Sequence, residues 1–94
     1  MTRRDKILEE CKELFYKFWR QERGYEYTGL LSEQSRLKED LQMDSLMLVV
    51  FQVEVEDRFR FRFDNFTDDF EEIFSTMGTL CDYIEGHVGE RIDG

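Results

Sequence analysis

Proline is missing from this 94-residue chain, and histidine and tryptophan each occur once. Without proline, an internal repeat or a low-complexity run, nothing marks a linker. A single domain over 1–94 is therefore expected, with a folded core of about 3–87 and a frayed tail at 88–94. The two cysteines, Cys11 and Cys81, have no CxxC spacing, and one histidine adds too little for a zinc site, so no metal is expected. A disulfide between them would need an oxidising compartment that nothing in the sequence suggests; two buried reduced thiols are expected instead. No apolar run reaches membrane-spanning length, and the N-terminus lacks a secretory apolar core, which points to a cytoplasmic protein without a membrane partner. A glycine-rich phosphate loop is also absent.

Basic residues become scarce after residue 23. Residues 1–23 carry seven basic and five acidic side chains, whereas residues 24–94 carry six basic and seventeen acidic ones. A field of that sign repels phosphate backbones and excludes nucleic acid, while it suits a protein partner with a basic docking patch. Hydrophobic content of 40% and aromatic content of 15% give a folded chain despite 37% charged residues.

Ile7, Leu8, Cys11, Leu14, Phe15, Phe18 and Trp19 recur at helical spacing, which predicts an amphipathic helix from about Arg3 to Gln21. Gly24 and Gly29 break it. A long polar loop follows to Met43, with Tyr25, Tyr27, Leu30, Leu31, Leu37 and Leu41 as apolar anchors; loops of that length are usually functional or contain a helical turn. A second helix is expected from Asp44 or Ser45 to about Arg58, with Asp44 as N-cap. A short helical turn fits Thr67 to Phe74. A last helix, capped by Ser75 or Thr76, carries Met77, Leu80, Cys81 and Ile84 and stops near Gly86. The whole reads as all-α.

The second helix has two apolar stripes. Leu48, Phe51, Val55 and Phe59 form the natural core face. Leu46, Met47, Val50 and Val53, with Glu54 and Asp57 following on, are expected to lie largely exposed as a docking surface rather than packed against the long loop. Beyond this helix, Arg58-Phe59-Arg60-Phe61-Arg62-Phe63 alternates like an edge strand. Seven of the nine phenylalanines fall between Phe51 and Phe74, an aromatic half of the core. The acidic run Asp68, Asp69, Glu71, Glu72 lacks the glycine-punctuated spacing of a calcium loop and reads as a solvated helix N-terminus.

Asp40-Leu41-Gln42-Met43-Asp44-Ser45-Leu46 places a primary hydroxyl at the first turn of a helix, beside a carboxylate. An anion built on that hydroxyl would face the free N–H groups and the positive end of the helix dipole. Nucleophilic catalysis by Ser45 would also need a base and an oxyanion site, and the only histidine, His87, lies near the tail, so the chain is not expected to be an enzyme.

From Ile7 to about His87 the chain resembles an acyl carrier protein. The resemblance rests on Ser32 to Leu41 leading into Asp44-Ser45-Leu46, and on Ser75-Thr76-Met77 leading into Asp82-Tyr83-Ile84-Glu85-Gly86-His87. It implies a small four-helix bundle of the acyl-carrier type, with three longer helices, a short third one and a long loop between the first two. It further implies that a phosphopantetheinyl transferase, using coenzyme A and Mg²⁺, attaches 4′-phosphopantetheine to Ser45, with Asp44 as a supporting contact. The arm would hold acyl intermediates as thioesters for fatty acid or specialised lipid or polyketide biosynthesis. An aminoacyl or peptidyl carrier is the alternative, and a non-carrying interaction module with the same fold a second one. Partners would be loading and synthase enzymes with basic or apolar docking patches, met by a monomer. By the same resemblance the Arg58–Phe63 run falls at the end of the second helix and in the loop beyond. Phe59, Phe63 and Phe70, with Phe61 and Phe66, either wall an acyl pocket or simply fill core. The arginines either meet the phosphate of the arm or pair with Asp57 and Asp64, the reading preferred here. Two departures stand out. Gln42 occupies the family's usual glycine position, so a turn without positive φ is expected; and Met47 and Val50 replace the acidic residues usual on the second helix.

Overall fold

The computed structural model describes residues 2–63 and 69–88. It contains four helices, α1 (Arg3–Arg23), α2 (Ser45–Phe59), α3 (Phe70–Ile73) and α4 (Met77–Val88), and no strand among the described residues. The architecture is all-α. Asp64, Phe66 and Asp68 lie outside the described residues, as do 89–94 of the expected tail.

α1 begins with a reciprocal cap: Asp5 N–H donates to Thr2 Oγ1 (3.1 Å) and Thr2 N–H to Asp5 Oδ2 (3.3 Å). It buries Ile7, Cys11, Leu14, Phe15, Phe18 and Trp19 on one stripe. That stripe packs chiefly on α4, through residues such as Leu80, Cys81 and Ile84, and also on α2, where Phe51 meets both Phe15 (6.3 Å between centroids) and Phe18 (5.3 Å). The helix runs two residues past its expected end and stops at Gly24, whose φ of 81° closes the αL cap.

Cys11 and Cys81 are free, fully buried neighbours. The Cys81 side chain, together with burial, pushes the Cys11 thiol up, so Cys11 is an inert core group rather than a reactive thiolate.

The 25–44 loop behaves as a fifth packing element. Leu31, Leu37, Leu41 and Met43 enter the core, and Tyr27 lies between Phe15 and Trp19. The other two expected anchors do not pack in this way: Leu30 is 95% exposed, and Tyr25 is exposed with an edge contact to Trp19. Neighbouring Leu31 takes the inward position instead.

The loop also supplies what the start of α4 lacks. Met77 N–H donates to Ser35 O and Gly78 N–H to Glu33 O, both at 2.9 Å, while Leu37 N–H donates back to Ser75 O. Thr79 N–H donates to Thr76 Oγ1 (3.0 Å), which makes Thr76 the side-chain cap. Arg4 on α1 closes the junction by pairing with Glu33 and Asp82 and donating to Gly78 O (3.0 Å). Within the loop, the Arg36 backbone N–H and guanidinium bind the Asp40 carboxylate and hold its pKa below the usual range. This support is complete above the ordinary carboxylate pKa and is lost as pH falls through the lowered value.

Three local expectations change. α4 continues past Gly86 to Val88; His87 stacks on Tyr83 (4.0 Å) and donates from Nδ1 to the Tyr83 carbonyl. α3 is only four residues long, capped by Asp69 and ending at Phe74. Gln42, expected to avoid positive φ, adopts φ 55°. Leu41 and Met43 on either side of it are both buried.

Two substitutions test this frame by urea denaturation. Gln42→Gly relieves an αL side chain and should stabilise by about 0.5–1 kcal/mol after glycine's extra unfolded-state entropy is subtracted. Gly78→Ala should destabilise by about 1–3 kcal/mol despite alanine's better helix propensity, because a Cβ there would lie 2.9 Å from Glu33 O. A raised midpoint for Gly78→Ala would contradict the close approach of loop and helix.

Candidate functional site

Ser45 is the first residue of α2 and is exposed. Asp44, extended at φ −82° and ψ 178°, is the N-cap; its Oδ1 accepts from Met47 N–H at 2.8 Å, and its carbonyl accepts from Leu48 N–H at 2.9 Å. The carboxylate beside Ser45 therefore has a local task in starting the helix. The first turn itself holds no acidic residue, so the acidic group set against the positive end of the dipole is the Asp44 cap.

Ser45 opens onto a groove of about 220 Å³ between α2, the loop and α3, lined by Lys38, Leu48, Val49, Gln52, Phe70, Glu71 and Phe74 as well as Ser45 itself. Leu48, Val49, Phe70 and Phe74 make it mainly apolar. Lys38 Nζ reaches Glu71 Oε1 at 3.9 Å and places a cation among the lining residues. Of the three expected acyl-pocket residues, Phe70 lines this groove. Phe59 and Phe63 are buried and do not line it. Phe63 instead packs among Phe61, Phe70, Phe74 and Tyr83, at centroid distances of 4.9, 5.6, 5.4 and 5.0 Å, and its N–H donates to Glu56 Oε2.

Lys38, Leu48, Val49, Gln52 and Phe74 were not expected to line a site; Leu48, assigned from the sequence to the core face of α2, is half-buried in the groove wall instead. For three of them a signal existed: Ser45, Leu48, Val49 and Gln52 are spaced i, i+3, i+4, i+7 and so share one helical face.

The outer side of α2 is strongly apolar. Leu46 is 74% exposed, Val49 56%, Val53 48% and Val50 37%. Met47, expected in this stripe, is half-buried beneath Arg23, and Val49 belongs to it in Met47's place. Asp57 is exposed and Glu54 half-exposed along the same helix.

Arg58 is placed differently from expectation, whereas the expected partner Asp64 lies outside the described residues. Arg58 pairs with Glu10 (3.4 Å) and Glu13 (3.2 Å) on α1 rather than with Asp57, and neither it, Arg60 nor Arg62 lines the Ser45 groove. Arg60 is the αL cap of α2 at φ 57°, which ends the helix and leads into Phe61–Phe63, a stretch without regular structure. His87, held by Tyr83, does not line the groove either.

Among the described residues, no group of three or more His, Cys, Asp or Glu is placed to hold a metal ion, and no helix is long and apolar enough to cross a membrane. Comparison with known family models, curated proteins and solved structures gives no match to this chain.

The cap assigned to Asp44 makes a direct prediction. Asp44→Ala should cost about 1 kcal/mol of unfolding free energy, while Asp44→Asn, which keeps the accepting oxygen, should cost far less. Equal losses in urea titrations of the two variants would mean that charge, not capping, is the residue's structural contribution.

Proposed function

We propose that this chain is a cytoplasmic acyl carrier: a monomeric, non-catalytic bundle of the acyl-carrier type that tethers a substrate through 4′-phosphopantetheine on Ser45. One observation carries the reading: an exposed serine hydroxyl at the start of a 15-residue helix, next to an apolar groove with a lysine in its lining. The residues present fit such a group. Ser45 Oγ is the attachment atom, the α2 N-terminus favours the phosphodiester charge, Lys38 could turn to it from its pairing with Glu71, and Leu48, Val49, Phe70 and Phe74 offer an apolar wall. Bound there, the prosthetic group would supply a thiol for thioester chemistry. The chain's own contribution is to keep Ser45 in solvent, cap the helix with Asp44 and shelter part of the arm or its cargo.

A phosphopantetheinyl transferase would carry out the loading with coenzyme A and Mg²⁺, so this chain needs no base beside Ser45. Because the Phe63 cluster already fills the interior, the cargo would rest in the surface groove rather than replace core. Partner enzymes would dock on Leu46, Val49, Val50 and Val53, with Glu54 and Asp57 meeting basic groups at the rim. The pathway would be fatty acid, specialised lipid or polyketide synthesis, or an aminoacyl or peptidyl route, all of which share the same tethering chemistry.

Incubated with coenzyme A, Mg²⁺ and a broad-specificity transferase, the protein should gain one phosphopantetheinyl group. Ser45→Ala should remain helical and gain none. Labelling that persists in Ser45→Ala, or no labelling with any transferase, would refute the proposal. For the docking face, Val50→Glu should raise the KM of the native partner at unchanged helicity, with a shallower salt dependence than a purely ionic interface would give. An unchanged KM would remove α2's apolar stripe from the interface.

A further inference from the structure

Arg23, the last residue of α1, touches the turn before α2, the first turn of α2 and, one turn back on its own helix, Trp19. Its Nη2 donates to the Gln42 carbonyl at 3.0 Å and approaches Met47 Sδ at 3.4 Å, and its Cζ lies 4.8 Å from the centre of the Trp19 ring. Gln42 is one of two described non-glycine residues at positive φ, and it stands two positions before the N-cap Asp44. An αL conformation in a residue with a Cβ persists only where its surroundings hold it. The carbonyl of that residue accepts a charge-assisted hydrogen bond from a guanidinium that is itself seated on an indole face. Met47, whose amide completes the Asp44 cap, has its sulfur against the same guanidinium.

From this geometry we infer that Arg23 is a positioning residue for Ser45, clamping the turn before α2 and the first turn of α2 to the end of α1. The inference builds on the carrier reading and adds how the acceptor serine is oriented. The clamp fixes the strained Gln42 turn on one side of the cap and Met47 on the other, so the direction of Ser45 follows from it. Lysine would replace it incompletely: an ammonium can donate to Gln42 O but has no plane to lie on Trp19 while doing so.

The test combines transferase kinetics with amide hydrogen exchange on the full chain. In Arg23→Ala, exchange at the Met47 and Leu48 amides should accelerate and kcat/KM for phosphopantetheine transfer should fall roughly ten-fold, equivalent to about 1.4 kcal/mol. Global stability and helicity should stay close to the parent. Arg23→Lys should recover part of both losses, and Arg23→Ala with Gln42→Gly should recover part of the exchange protection by easing the turn. Unchanged exchange in Arg23→Ala would overturn the clamp whatever the transfer rate. Faster exchange with an unchanged transfer rate would overturn the positioning role. If no transferase modifies the parent protein but exchange still depends on Arg23, the carrier reading and the Ser45 role fall together and only the structural contact survives.

Discussion

The start of α4 depends on carbonyl groups that do not belong to it. Helices leave their first N–H groups without internal partners, and here the 25–44 loop provides them through Ser35 O and Glu33 O, with Thr76 covering the next position. The close approach requires Gly78, where a side chain would strike the Glu33 carbonyl. Arg4 ties the same junction to α1 through Glu33, Asp82 and Gly78 O. With the loop anchored at this end, Leu31, Leu37, Leu41 and Met43 complete the core. Its far end is then free to deliver Asp44 and Ser45 at the surface. A 20-residue connection without regular structure is costly in entropy, and these bonds and buried leucines offset that cost.

That anchoring gives α2 its unusual division of faces. Phe51, Val55 and Phe59 point inward, Ser45, Leu48, Val49 and Gln52 face the groove, and Leu46, Val50 and Val53 remain outside with Val49. A small domain gains nothing in stability from leaving so many aliphatic side chains in water. The proposed docking and tethering roles account for them: one face of the helix presents the serine and its groove, and the adjacent face presents an apolar surface to a partner.

Much of this was legible in the sequence where the cause is local. The α1 stripe, the Asp44 cap and the start of α2 at Ser45 follow from periodicity and from the capping chemistry of an aspartate ahead of an apolar run. Thr76 as a cap for α4 is equally local. What could not be read depends on partners distant in sequence. Gln42's positive φ is supported by Arg23 from the end of another helix. Arg58 finds Glu10 and Glu13 across the bundle, although Asp57 is its neighbour in sequence. Lys38 reaches the Ser45 groove only because the loop folds back beside α2 and α3. Gly86 looked like a helix stop, yet α4 runs past it to Val88, with Tyr83 and His87 stacked and hydrogen-bonded across that point.

The central claim is that Ser45 is an attachment point. Intact mass analysis of the protein isolated from its native host, followed by fragmentation, tests it without any assumption about partner or pathway. The expected result is a population heavier by one phosphopantetheinyl group, with or without an acyl or aminoacyl cargo, with the added mass on the fragment containing Ser45. A native protein that carries no such addition, or carries it on another residue, would contradict the account.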